Sequence, residues 1–242
     1  MSFLLVDAGA AVLAFFASLL PVLIWLTFWL LEDRKNPEPR QLILLAFLGG
    51  MAAVLIALPL EAAAASYVPM GLMLILIWAA TEEILKFLFA WGTVLRLPTC
   101  DEPIDIPVYL ITTALGFSSV ENAFFLFSPI VGGRFFAFLA SGDLRFIGAT
   151  LIHVLATSVI GTALAFAYYR SRGTKMLYGI GGVILAVSLH TIFNSLILST
   201  GAQSVLTVFL GIWVGIVFLL LAMERIKGIV RPRWWQQAFV KK

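Results

Sequence analysis

The sequence holds one cysteine, two histidines and few charges, 16 basic and 13 acidic residues making up 12% of its 242 positions. Cys100 alone cannot form an intrachain disulfide, so no disulfide framework holds this fold. A soluble globular domain carries about 25% charged residues, and half that share excludes a chain whose surface mostly faces water. The polar residues are bunched into short stretches between long apolar runs, which excludes both a disordered chain and a nucleic-acid-binding domain. The period-2 alternation of a membrane β-barrel is missing too. What remains is 62% hydrophobic, with Phe the dominant aromatic at 20 residues. Because irregular backbone cannot face lipid, such a chain reads as an all-α polytopic transmembrane helix bundle. No repeat, low-complexity tract or second domain interrupts it, so residues 1–242 form a single membrane domain.

A membrane-crossing helix needs roughly 20 mainly apolar residues. Seven segments qualify, at 3–31, 41–60, 70–96, 107–130, 144–169, 176–200 and 203–223. Polar, Pro-bearing or Gly-bearing stretches separate them, including 32–40, the Ala-rich stretch after Glu61, 98–107, 132–143 and 170–175. The first segment lacks a basic flank and is too long for a signal peptide, so it is expected to stay in the protein. With the N-terminus outside, 13 basic residues fall on the cytoplasmic side, against only Arg134 and Arg145 outside. That asymmetry predicts a multi-pass cell-membrane protein with a cytoplasmic C-terminus. The basic tail at 226–242, with Trp234 and Trp235, reads as an interfacial segment drawn to anionic lipid.

A charge at the centre of a membrane helix costs about 2.5–3.5 kcal/mol even on the gentlest scale. The spans nevertheless contain Glu82, Glu83, Lys86, Glu121, His153 and His190. At about 1.5 Å per residue from the expected cytoplasmic ends, Glu82, Glu83, Glu121, His153 and His190 lie roughly 20–24 Å up. Four helices thus bring ionisable groups to one level in the outer half of the membrane. Lys86 is i+4 from Glu82 and i+3 from Glu83, within reach of both carboxylates. Neighbouring carboxylates point about 100° apart, so one can face a cavity while the other is paired. A carboxylate held ionised beside a histidine is what activation of water requires. His190 and Asn194, also i and i+4, carry donors suited to an oxyanion. The plain alternatives are a structural ion pair for Glu82, Glu83 and Lys86, and helix bridging for Glu121, Asn122 and His153. Gly49 with Gly50, and Gly179, Gly181 and Gly182, read as close-packing sites between helices.

These residues resemble the PrsW family of intramembrane proteases, which is related to the CAAX prenyl endopeptidases. The match is to Glu82-Glu83-x-x-Lys86, Phe117-x-x-x-Glu121-Asn122, His153 and His190-x-x-x-Asn194, with the loop from Asp33 to Pro39 after the first span. The CAAX-type relatives have one more residue before an Arg in the first motif, and His where this chain has Glu121. The resemblance implies peptide-bond hydrolysis by a glutamate-activated water, with no covalent intermediate and no required metal or other cofactor. It also implies a membrane-anchored protein substrate, such as an anti-sigma factor cut near the extracytoplasmic side. On that reading Glu82 or Glu83 is the base and Lys86 fixes its charge. His190 and Asn194 hold the oxyanion, while Glu121 and His153 complete the polar network or protonate the leaving amine.

Two other readings remain open at this level. Two histidines and a glutamate can form a zinc set with an open position, although no His-Glu-x-x-His helix is present. Intramembrane Glu and His residues also mark proton-coupled transporters, although the matching halves such proteins often show are missing.

Overall fold

The computed structural model describes residues 2–32, 36–137, 139, 148–199 and 202–232. The expected interfacial features at Arg233, Trp234, Trp235, Lys241 and Lys242, the motif residues Asp33, Arg34 and Lys35, and Arg145 lie outside the described residues.

Seven long helices make up the described chain: α1 (Ser2–Glu32), α2 (Arg40–Tyr67), α3 (Leu72–Ala90), α4 (Asp105–Val131), α5 (Thr150–Phe166), α6 (Arg172–Ser199) and α7 (Ala202–Lys227). Five of them, α1, α2, α4, α6 and α7, contain stretches long and apolar enough to cross a membrane. The other two fall short of the seven-span expectation for identifiable reasons. In α3 the three charges Glu82, Glu83 and Lys86 crowd 19 residues, and α5 is an apolar helix of only 17. The helix ends also differ from the sequence reading. The Ala-rich stretch after Glu61 does not break α2, because alanine is the best helix former, and the helix runs on to Tyr67. Beyond Ala90 the chain turns as a π-helix over Trp91–Leu95 before ending.

α4 is the axis, buried along most of its length from Asp105 to Asn122. Packing contacts run from α4 to α2, α2 to α3, α3 to α6, α6 to α5 and α5 back to α4, closing a ring of five helices. α1 lies outside the ring against α4, and α7 against α5. The exposed faces are apolar, with Phe16, Leu55, Leu177 and Phe218 among the side chains they present.

Glycine sets the tightest contact. A Cβ on Gly50 of α2 would lie 1.9 Å from the Thr113 carbonyl oxygen, and one on Gly116 of α4 would lie 2.0 Å from that of Phe47. The two backbones meet reciprocally, as small residues permit between membrane helices. Gly182 is also close-packed, 3.0 Å from the Ile160 Cα to a built Cβ, whereas Gly181 faces open space. Since backbone on both sides cannot yield locally, Gly116→Val is expected to drive α2 and α4 apart. The cost should exceed the about 3 kcal/mol upper range of ordinary substitutions. Size-exclusion chromatography in detergent checks this by loss of the monodisperse peak, with Gly181→Val as the variant that keeps it.

The loops at one end of the bundle are tied together. Lys227 Nζ meets Glu32 Oε2 at 3.1 Å, and the Tyr109 hydroxyl donates to Glu38. Tyr168 donates to the Cys100 carbonyl at 2.9 Å, and Arg231 to the Asp101 carbonyl at 3.3 Å. Burial among these groups pushes the Cys100 thiol up to about 12, so it stays protonated and unreactive at neutral pH.

Candidate active site

The five ring helices enclose a cavity of about 490 Å³ whose wall is mainly apolar and aromatic. Glu61 of α2, Glu82 of α3, Glu121 of α4, His153 of α5, and His190 and Asn194 of α6 reach it. Glu83 and Lys86 lie immediately behind, with no exposure at all.

Each position follows from helical spacing. Glu83 sits one residue, about 100°, round from Glu82, which turns it from the cavity into the contact with α5 and α6. There it has three partners: Lys86 Nζ at 2.6 Å from Oε1, His190 Nδ1 at 2.8 Å from the same oxygen, and the Thr157 hydroxyl donating to Oε2 at 2.7 Å. Lys86 in turn lies 2.9 Å from His153 Nδ1 and 3.5 Å from Glu82 Oε2. Its ammonium also stands 4.5 Å over the Phe117 ring, so a charge buried among apolar residues is surrounded by compensating groups. His153 Nε2 is 2.6 Å from Glu121 Oε2.

These contacts fix the proton positions. An ammonium donates only, so His153 Nδ1 accepts from Lys86 and its Nε2–H donates to Glu121. His190 Nδ1–H donates to Glu83, leaving its Nε2 toward Glu82 Oε2 at 3.9 Å. The imidazoles meet edge to face, 5.0 Å apart between centroids. Glu82 Oε2 is the exception in this network. It is buried without a hydrogen-bond partner, 3.6 Å from His153 Nδ1, and it belongs to a residue lining the cavity. A buried unpaired acceptor beside other polar groups, on a cavity large enough for water, is a place where a water binds.

Asn122 follows the helix-bridging alternative, whereas Glu61 differs from the sequence reading. Asn122 turns away from the cavity and donates to Thr150 and Ser118, bridging α4 to α5. Glu61, read from sequence only as a span end, lines the cavity and has a buried, unpartnered Oε1. Its signal was a lone carboxylate within an otherwise apolar helix, the criterion that singled out the other acids.

Carboxylates and two imidazoles from five packed helices thus converge on one internal cavity, with an ammonium buried behind them. The family model for the PrsW family intramembrane metalloprotease matches residues 38–223, and the chain belongs to this family. It is therefore a peptidase of the membrane, acting on membrane-embedded substrates. No curated protein and no solved structure matches the chain significantly.

The family's description raises the question of a metal. Glu82, Glu83, His153 and His190 offer ligand atoms all within 4.8 Å of one another. Catalytic zinc takes three protein donors, and the set that converges is Glu82 Oε2, His153 Nδ1 and His190 Nε2. Glu121 and Glu83 hold the opposite ring nitrogens, as carboxylates do behind zinc-bound histidines. The His153 Nδ1 lone pair, however, already accepts from the Lys86 ammonium. With Lys86 in place only two donors are open, and the donor set does not fit a resident metal.

Proposed function

We propose that the protein is a glutamic intramembrane endopeptidase in which the Glu82 carboxylate activates water, and that Lys86 serves as the resident cation of the site. The observation that carries this reading is the buried, unpartnered Glu82 Oε2 beside the cavity, next to a Glu83 whose oxygens are both engaged. Glu82 takes a proton from the water as its oxygen attacks the scissile carbonyl carbon. The Asn194 amide donates to the resulting oxyanion, beside the His190 ring that Glu83 holds through Nδ1–H. As the carbon–nitrogen bond breaks, Glu82 returns its proton to the leaving amine. Glu121 holds the His153 ring, which holds Lys86, so the ammonium stays beside both carboxylates.

The seven helices cross the membrane with the N-terminus outside in this reading, in the cell membrane. In support, the tied loops bring Arg40, Arg96, Arg170, Arg172, Lys175, Arg225, Lys227 and Arg231 to one end of the bundle, the distribution of a cytoplasmic face. Of the two short elements, α3 gains length by continuing into its π-turn, and its three charges are buried within the bundle. The substrate is a single-pass membrane protein, cut in the outer half of the bilayer or just beyond it, as an anti-sigma factor would be.

A zinc enzyme is the second reading, favoured by the converging Glu82, His153 and His190 donors, and it requires Lys86 to leave His153. Purified protein incubated with single-pass reporter substrates tests the two together. Cleavage that persists in phenanthroline, with far less than one zinc per chain by elemental analysis, is expected. Activity lost to the chelator and restored by zinc establishes the second reading instead.

A further inference from the structure

A second concavity, of about 840 Å³, runs down the flank of the bundle where α3 and its π-turn face α6. It is separate from the catalytic cavity and shares no lining residue with it. Its long wall is apolar. Its mouth, at the end with the tied loops, carries Arg96, Arg172 and Lys175, and none of the described side chains lining it is acidic.

The geometry points to an anionic phospholipid as the occupant, its phosphate among these three cations and an acyl chain along the wall. Three observations converge on this ligand. First, the groove opens sideways: Trp91, Ile180 and Ile184 line it and are 51%, 52% and 63% exposed, and both isoleucines belong to a helix apolar and long enough to span a membrane. Its apolar part is thus filled from the bilayer, which a water-soluble phosphate would not do.

Second, its length fits one leaflet. Lys175 to Ile184 covers nine residue steps of α6, about 13 Å at 1.5 Å per residue, near half of a hydrocarbon core about 30 Å thick. Third, the charge complements a headgroup. Arg96 is held 5.6 Å over the Trp91 ring and Lys175 5.1 Å over that of Tyr168, which fixes both cations at the mouth by stacking. Basic pockets between membrane helices on the cytoplasmic side recognise such headgroups. On the topology proposed above the lipid comes from the inner leaflet, while the lipid site itself does not depend on the proteolytic reading.

The full chain, reconstituted in phosphatidylcholine nanodiscs containing a minor fraction of phosphatidylglycerol, tests this by native mass spectrometry. The wild type is expected to retain phosphatidylglycerol and not phosphatidylcholine. Arg96→Gln/Arg172→Gln/Lys175→Gln should lower retention roughly a hundredfold, at the strength of three cations near an anionic surface. Ile184→Trp, which fills the groove with all charges intact, should lower it as well. The control Arg40→Gln/Arg170→Gln/Arg225→Gln removes the same charge from the same end outside the groove and should retain the lipid. Retention unchanged in both groove variants, equal loss in the control, equal retention of phosphatidylcholine, or a bound peptide in place of lipid overturns the assignment.

Discussion

Glu82→Gln should give a folded protein whose cleavage rate is about 10²–10⁴-fold lower, the range that a positioned general base supplies. The amide keeps the volume and one carbonyl oxygen, and Glu82 makes no hydrogen bond whose loss would weaken the bundle. Its nearest charged neighbour is the Lys86 ammonium at 3.5 Å, with His153 Nδ1 at 3.6 Å and His190 Nε2 at 3.9 Å. Glu83→Gln differs in kind. Its carboxylate holds Lys86, His190 and Thr157, so neutralising it strips the counter-charge from a buried ammonium as well as the partner that orients the His190 imidazole. It should lose both activity and thermal stability. Turnover of a single-pass reporter and thermal unfolding in detergent, measured side by side, separate the two residues. Wild-type turnover in Glu82→Gln, or an equal fall in melting temperature for both variants, would falsify the assignment of Glu82 as base.

Much of this site could be read in the letters because the solvent makes it conspicuous. In a chain selected for lipid, a Glu or His in an apolar run carries a penalty that only a site or a tight ion pair offsets. Counting residues from segment ends then placed four helices' polar groups at one level, and these groups lie together in the fold. The division of labour between Glu82 and Glu83 was not legible, since i+3 and i+4 spacing put both within reach of Lys86. The choice depends on how α3 is rotated against α5 and α6, which is fixed by long-range packing such as the Thr157 contact. Glu61 escaped notice for a different reason. Alanine carries little hydrophobic signal, so the Ala-rich stretch beyond it looked like a boundary although alanine prolongs a helix. Likewise Gly49 and Gly50 were equivalent as letters, but only Gly50 meets the α4 backbone, at Thr113, while Gly49 faces the Thr93 side chain.

Lys86→Met should be the most destabilising substitution in the site. Lys86 is entirely buried, and its removal leaves Glu83 a fully buried carboxylate without its cation. Breaking one half of a buried pair costs about 3–5 kcal/mol, whereas replacing both members by neutral groups of similar shape is often near neutral. The double variant Lys86→Met/Glu83→Gln should therefore recover most of the melting temperature lost by the single one. It should not recover cleavage, because neither the cation beside Glu82 nor the carboxylate that holds the His190 ring is restored. That split between stability and activity is what a purely structural ion pair would not produce. The same variant also bears on the metal. Lys86→Met frees the His153 Nδ1 lone pair, completing three open donors with Glu82 and His190. If Lys86 is the site's own cation, the double variant acquires an affinity for zinc that the wild type lacks, and stays inactive without it. If zinc is resident in the wild type, the metal content of the two proteins is the same, and Lys86 returns to the role of a neighbour.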